Sequence, residues 1–332
     1  MFAENIHLDI KKIAIITSGG DSPGMNAALR SVVRSANYHG IECVGFYRGY
    51  QGIIENDFKP LEMRSVSNIL ELGGTVLRTA RSLDFHKAEV REKAYNHLKS
   101  QNIDALVVIG GNGSITGANV FAKQFDFPCV GIPASIDNDI YGTDCSIGFQ
   151  TALQTIVESV DKIRDTARSH NRLFFVEVMG RDNGNLALYS AIASGACFVI
   201  IPEKGFEINN LAERLKTGKS MSKSSSVVIV AEGNNYGPSY KIAEDLTEVF
   251  DEYESKVTIL GHLQRGGSPV VMDRLIASRL GLSAVQALMS ENYGNMVGII
   301  KNETVLIPMQ DVVDKQKKIN EDLYKLNKII SR

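Results

Sequence analysis

Phe127-Pro128-Cys129-Val130-Gly131-Ile132, followed by Pro133-Ala134-Ser135-Ile136-Asp137-Asn138-Asp139, is the stretch that decides the fold. The first six residues form an apolar run that reads as a buried strand, and two carboxylates stand two residues apart just after it. Open α/β sheets place their chemistry at such strand ends. One carboxylate there can take a proton from a substrate hydroxyl, and a second can orient it or help hold a metal ion. In isolation, Asp-Asn-Asp is an Asx-rich turn. Two glycine-rich strand ends earlier in the chain, and arginines later in it, give this one a chemical context.

Outward from that strand, apolar runs alternate with helical patterns. Ile13–Ile16 reads as a strand ending in Thr17-Ser18-Gly19-Gly20-Asp21, followed by a helix over Asn26–Tyr38 and a strand over Cys43–Tyr47. A helix over Val90–Gln101 precedes a strand at Ala105–Ile109, which ends in Gly110-Gly111-Asn112-Gly113-Ser114. This rhythm predicts a parallel sheet with helices on both faces. A long helix over Gln150–Thr166 leads to strands at Leu173–Val178, Cys197–Ile201 and Val227–Val230, read as a second α/β domain. Lys216–Ser226, rich in Ser and Lys, reads as an exposed turn or flexible loop. Ile319, Leu323, Leu326 and Ile330 recur at helical spacing and predict a C-terminal helix docked on a domain surface.

The bulk properties narrow the class. The chain has 332 residues, 44% of them hydrophobic, enough for one large or two ordinary α/β domains. Its 36 Lys and Arg nearly balance 38 Asp and Glu, which argues against a sequence-wide nucleic-acid binder. Cys43, Cys129, Cys145 and Cys197 form no close pair; Cys129 and Cys197 sit in apolar runs and read as buried thiols, which suits a reducing compartment. Met1–Lys12 mixes acids and bases without an apolar stretch and reads as no secretion signal. No uncharged apolar run approaches the roughly 20 residues needed to span a bilayer.

Thr17–Asn26 joins a strand to a helix through glycines, and free N–H groups at such a turn favour phosphate. It is neither a Walker A loop nor GxGxxG, and alone it is equally a tight turn. Gly110–Ser114 repeats the design, and two such loops in one sheet point to one phosphate site. Met179-Gly180-Arg181 and Glu232 end strands of the second domain. Arg265, between Gln264 and Gly266, suits a phosphate oxygen; Arg172 and Lys256 can add charge. A lone arginine is ordinarily a solvated surface residue, and His262 is equally a buried structural histidine. Taken together they suggest a phosphorylated substrate and phosphoryl transfer.

Seven motifs in order, TSGGDSPGMNAA, GGT-VL-R-TAR, VVIGGNGS, PASIDND, GTDCSIGFQTA, VEVMGR and LGHLQRGGSP, give the chain its identity: it closely resembles the bacterial ATP-dependent 6-phosphofructokinases over nearly its whole length. The resemblance implies two similar α/β/α sandwich domains with mostly parallel sheets and the active site in the cleft between them. It implies an ATP-binding domain of residues 1–147 plus 263–310 and a sugar-phosphate-binding domain of residues 148–262 plus 311–332. Gly20, Arg81, Ser82, Gly111, Asn112, Gly113 and Ser114 match nucleotide-phosphate positions. Asp137 matches the general base for the sugar 1-hydroxyl, Ser135 and Asp139 its neighbours that position the reacting groups and Mg²⁺, and Arg181 a transition-state cation. Met179, Gly180, Glu232, His262 and Arg265 match the sugar-phosphate site. Arg172 and Lys256 match cations that reach it from a neighbouring subunit, implying a cytoplasmic homotetramer that uses ATP and fructose 6-phosphate.

Several positions depart from the family pattern. Asn112 stands where an acid associated with Mg²⁺ is usual, leaving Asp139 beside a neutral ligand. Ser135 lacks a methyl, Ser82 follows Arg81 where Phe is usual, and Lys256 replaces an arginine and loses its fork. Pyrophosphate-using relatives typically carry Asp at Gly113 and Lys at Ala134; both are small here, leaving room for a nucleotide. Arg30, Arg34, Arg164 and Lys223 match cations of an effector site for ADP or phosphoenolpyruvate. Met63, Met221 and Cys197 stand for an Arg, a Lys and a Glu of that site, with Arg64 next to the first, so weakened or absent regulation is expected. The rivals are the same chemistry with pyrophosphate or another sugar phosphate, a weakly active or regulatory paralogue, and an NAD or lipid kinase; LGHLQRGGSP and MGR speak against the last.

Overall fold

The computed structural model describes residues 10–170, 172–220 and 226–331. In chain order the elements are β1 (Lys12–Ser18), α1 (Met25–Tyr38), β2 (Glu42–Phe46), α2 (Tyr50–Glu55), β3 (Phe58–Leu61), α3 (Ala88–Ser100), β4 (Ala105–Gly110), α4 (Asn112–Phe125) and β5 (Cys129–Pro133). There follow α5 (Phe149–His170), β6 (Arg172–Val178), α6 (Asn185–Ser194), β7 (Phe198–Ile200), α7 (Ile208–Ser220), β8 (Ser226–Ala231), α8 (Ser239–Val249) and β9 (Glu254–Ile259). The chain closes with α9 (Val271–Met289), β10 (Asn295–Ile300), β11 (Glu303–Pro308), α10 (Met309–Asp314) and α11 (Glu321–Ile330).

Two compact units result. Among the described residues, the first holds residues 10–135, 139–150 and 265–317, and the second holds residues 136–138, 151–170, 172–220, 226–264 and 318–331. In the first unit a seven-stranded sheet runs β11-β10-β5-β4-β1-β2-β3. β3 and β11 are antiparallel to their neighbours, and the other pairings are parallel. Successive residues of a strand face opposite sides. Ile13 and Ile15 therefore join a core with Leu29 of α1 and Leu280 of α9, while Ala14 and Ile16 join one with Ile115 and Phe121 of α4. Burial on both faces explains why these central strands are unbroken apolar runs. In the second unit the sheet is β7-β8-β6-β9, entirely parallel. Leu173, Phe175, Val228 and Val230 pack there against Leu211 and Leu215 of α7 and Ile242 and Leu246 of α8.

Three expectations change. Lys216–Ser220 is not loop but the last turns of α7, because Leu211, Ala212 and Leu215 dock the helix and carry it past Gly218; Ser226 opens β8 and is buried. Residues 221–225 lie outside the described residues. The C-terminal helix forms, but its expected stripe is covered only in part: Ile319 is buried and Leu323 half-buried, while Leu326 and Ile330 are 38% and 52% exposed and Asn327 is buried. Polar contacts add to this packing, with Lys204 Nζ 2.7 Å from Glu321 Oε1 and poised over the Tyr324 ring. Cys197 is only half-buried, whereas Cys43 and Cys129 are buried; burial pushes the Cys43 thiol up to about 12. No helix among the described residues is long and apolar enough to cross a membrane.

Candidate active site

The first glycine-rich loop hangs from the end of β1. The Thr17 hydroxyl donates to the Arg78 carbonyl at 3.0 Å, which leaves the Thr75 hydroxyl to donate to Thr17 Oγ1 at 2.9 Å. Buried Asn26, at the start of α1, donates to the Leu72 carbonyl (3.1 Å) and accepts from the Val76 N–H (2.8 Å). These bonds fix the segment that precedes Arg81, which is itself exposed; the Ser82 hydroxyl donates to Gln51. Arg265 Nη1 donates to the Asp21 carbonyl at 3.0 Å and would lie 2.6 Å from a Cβ built on Gly20. A side chain at Gly20 would have to displace that guanidinium. The structure therefore brings Arg265 to the phosphate loop of the first unit.

The second loop is equally tight. A Cβ on Gly110 would come within 2.4 Å of the Ser18 carbonyl oxygen and 2.6 Å of Ser114 Oγ. This backbone contact seats the N-terminus of α4 against the end of β1, with Gly111 as the N-cap residue and Asn112 first in the helix. Buried Ser114 accepts at its carbonyl from the Tyr50 hydroxyl at 2.6 Å, and Tyr50 stacks on Phe85 with ring centroids 4.0 Å apart. A Cβ on Gly113 would meet nothing within 4 Å, so this end of the helix is open on one flank. Helix N-termini with exposed N–H groups attract anions.

Beyond β5 the chain returns toward these loops. The Ala134 N–H donates to the Gly110 carbonyl at 2.9 Å and the Ser135 N–H to the Ile147 carbonyl at 3.0 Å. Asp139 is half-buried; its Oδ2 accepts from Asn112 Nδ2 at 2.8 Å and its Oδ1 from the Ser135 hydroxyl at 3.4 Å. Only the amide nitrogen of Asn112 can face a carboxylate, so this side chain orients Asp139 rather than lending an oxygen in this conformation. Asp139 and the Ser135 hydroxyl are hard oxygen donors, and Mg²⁺ ordinarily needs only one or two carboxylates alongside water and substrate phosphates. The residues present fit such an ion.

Asp137 groups with the second unit and is 3% exposed. Its Oδ2 lies 3.6 Å from Arg181 Nε, with the arginine side chain 54% exposed. Asn138, at φ 52, accepts at its carbonyl from Asn185 Nδ2 at 3.0 Å, which pins the turn. At the ends of β6 and β8, Glu232 Oε1 accepts from the N–H groups of Gly180 (3.2 Å) and Arg181 (2.9 Å). The Met179 N–H donates to fully buried Gln264 at 3.1 Å. His262 is exposed rather than structural.

Arg172 and Lys256 do not join that group. They sit at the opening ends of β6 and β9, and seven residue steps of extended chain run from Arg172 to Met179, a span of about 23 Å. Both cations bind one residue the sequence did not single out. Glu254 Oε2 accepts from Arg172 Nε at 2.6 Å, and its Oε1 lies 2.5 Å from Lys256 Nζ. The Lys256 ammonium and the Arg172 guanidinium hold the Glu254 carboxyl down to about 2.

Of the effector positions, Arg30 and Arg34 stand one turn apart on α1; burial, and then the Arg34 charge, lower the pKa of Arg30. Arg164 donates to the Ser194 carbonyl. Met63 and Arg64 are exposed, while Lys223 and Met221 lie outside the described residues.

The phosphofructokinase family model matches residues 12–288. The chain is 52% identical over 322 residues to the ATP-dependent 6-phosphofructokinase 2 of Bacteroides thetaiotaomicron, covering 97% of this chain and 99% of that one. It is 49% identical to the ATP-dependent 6-phosphofructokinase of Cytophaga hutchinsonii, covering 96% and 97%. Among solved structures, phosphofructokinase from Saccharomyces cerevisiae superposes with a TM-score of 0.86 at 38% identity over 96% of this chain, which spans 46% of the yeast chain. A pyrophosphate-dependent phosphofructokinase from Marinobacter aquaeolei shares the fold, with a TM-score of 0.84 at 20% identity over 94% of this chain and 86% of that one.

Proposed function

The chain belongs to the phosphofructokinase family, and from that premise we propose that it transfers the γ-phosphoryl group of ATP to the 1-hydroxyl of fructose 6-phosphate, giving ADP and fructose 1,6-bisphosphate. The observation that carries the reading is the buried Asp137 carboxylate just past a strand end, with the Arg181 guanidinium 3.6 Å away. Asp137 takes the hydroxyl proton as the sugar oxygen attacks in line, and Arg181 neutralises charge that develops on the transferring group. The donor phosphates lie on the Gly19–Gly20 turn and the N-terminus of α4, with Arg81 adding charge. The open flank of Gly113 supports a whole nucleotide as donor. Asp139 and Ser135 would hold Mg²⁺, which supplies charge neutralisation at the phosphates when bound; Asn112 keeps Asp139 in place.

Met179, Gly180, Glu232, His262 and Arg265 bind the sugar. Arg172 and Lys256, at the other ends of their strands, serve a second copy's site, and the family resemblance makes the working state a homotetramer with shared sites. Effector control through Arg30, Arg34, Arg164 and Lys223 is weakened, and the location is cytoplasmic. The test is a steady-state turnover assay with fructose 6-phosphate, comparing ATP with pyrophosphate. Turnover with ATP and none with pyrophosphate is expected. Turnover with pyrophosphate alone, or with neither donor, overturns the proposal.

A further inference from the structure

We propose that Glu254 is a positioning residue for the sugar-phosphate cations: a single carboxylate holds Arg172 and Lys256 side by side with their remaining donors turned to the incoming phosphate. The inference rests on the reading of those two residues as sugar-phosphate ligands. It begins with strand register. β6 and β9 pair in parallel with Arg172 opposite Glu254 and Phe174 opposite Lys256. Residues two apart on a strand share a face, so Glu254 and Lys256 project together. Each oxygen of the carboxylate then takes one cation, at 2.6 Å from Arg172 Nε and 2.5 Å from Lys256 Nζ.

The way each cation is held matters more than the pairing. Arg172 engages through Nε, which leaves the two terminal Nη groups as the edge that grips phosphate oxygens in a bidentate manner. Lys256 gives one of its three N–H groups to Glu254 and keeps two. A lysine is a point charge on a flexible stem and has no fork to fix its direction. At this position, direction comes from Glu254 Oε1.

A competing role for the same carboxylate would be to repel phosphate. Two features decide against it. The three side chains are 28%, 53% and 43% exposed for Arg172, Glu254 and Lys256, so solvent and salt screen the repulsion. Long cationic side chains lose rotamer freedom when they bind, and a neighbour that has already ordered them removes part of that cost. Screening weakens the ion pairs too, but the contacts of 2.6 and 2.5 Å are short-ranged, whereas repulsion of an incoming phosphate acts over a longer, more screened distance.

The experiment is steady-state kinetics of the full-length enzyme. Glu254→Ala should raise KM for fructose 6-phosphate about tenfold, the low end for a lost hydrogen bond to a charged group, with kcat and KM for ATP unchanged. Glu254→Gln, which keeps an acceptor, should recover part of the loss. In an Arg172→Ala, Lys256→Ala background the further change Glu254→Ala should have no effect. A fall in KM for the sugar would make Glu254 a competitor, and an unchanged KM would make it a bystander; either overturns the inference while leaving the cations' role intact. If Arg172→Ala and Lys256→Ala themselves leave that KM unchanged, the underlying reading fails, and the inference with it.

Discussion

Replacing Asn112 with Asp reverses the polarity of one short contact. Asn112 Nδ2 donates to Asp139 Oδ2 at 2.8 Å. The variant sets acceptor against acceptor. It loses a hydrogen bond to a charged group, about 1.5–3 kcal/mol, and adds carboxylate repulsion of roughly 1–4 kcal/mol at about 4 Å between bulk-water and near-surface screening. Against this, a negative charge in the first turn of α4 gains about 0.3–1 kcal/mol from the helix dipole. The penalties win, and because both side chains are half-exposed and can swing apart, the lower part of the range applies: about 2–3 kcal/mol of lost stability without metal. A divalent cation between the carboxylates removes the repulsion. Each 1.4 kcal/mol so recovered is about a tenfold gain in affinity, so Mg²⁺ should bind roughly tenfold more tightly and restore the melting temperature. The assay is thermal unfolding of both proteins across a Mg²⁺ titration, with chelator as the zero, alongside rates at limiting Mg²⁺. Equal metal-free melting temperatures together with unchanged Mg²⁺ dependence would refute the reasoning, because neither the contact nor the shared ion would then exist.

Three other outcomes are expected. Asp137→Asn should keep its fold and its affinity for ATP while kcat falls by roughly 10²–10⁴, the scale of a lost general base; a kcat within about threefold of wild type would remove Asp137 from that role. Gly113→Asp should fold normally, since its Cβ meets nothing within 4 Å, yet raise KM for ATP well above its effect on the sugar; equal KM values for ATP in the two proteins would show that the donor does not pass that flank. Burial pulls the Lys317 ammonium down to about 8, whereas an unfolded lysine titrates near about 10.4. Between those values the unfolded chain binds more protons, so stability rises with pH. Denaturant melts should therefore show wild type gaining on Lys317→Met across that window, and a pH-independent difference would contradict the assignment.

The sequence was most legible where burial is two-sided. β1, β4 and β5 could be seen because both faces are covered and their central residues are unbroken apolar runs, and their glycine-rich ends followed directly. β3 and β11 did not stand out: the first carries Lys59 and Pro60, tolerated only because the strand lies at an edge, and the second is largely exposed. β9 escaped because Glu254, Ser255 and Lys256 carry no apolar signal; its neighbour β6 recruits it. Among the candidate site residues, the types and their order were readable, but partner choice was not. Arg265 settling over Gly20, Asn112 donating to Asp139 and Glu254 bridging two cations are tertiary contacts, and no local spacing encodes them. Asn26 and Tyr50, which brace the two glycine loops, gave only the signal of a helix start. The C-terminal stripe is covered at Ile319 and Leu323 but not at Leu326 and Ile330, because spacing reports a helix but not how much of its face finds a partner.

The two ends of β6 carry different halves of the proposed sugar site, Arg172 at one and Met179 at the other. This has a genetic consequence. In an assembly where one copy's Arg172 end serves another copy's Met179 end, a single altered chain spoils a site it does not own. Co-expression of a variant damaged at Arg172 with one damaged at Asp137 would yield some sites with both lesions and some with neither. Two inactive alleles would then complement each other, while either one mixed with wild type would lose active sites only in proportion to the altered chains.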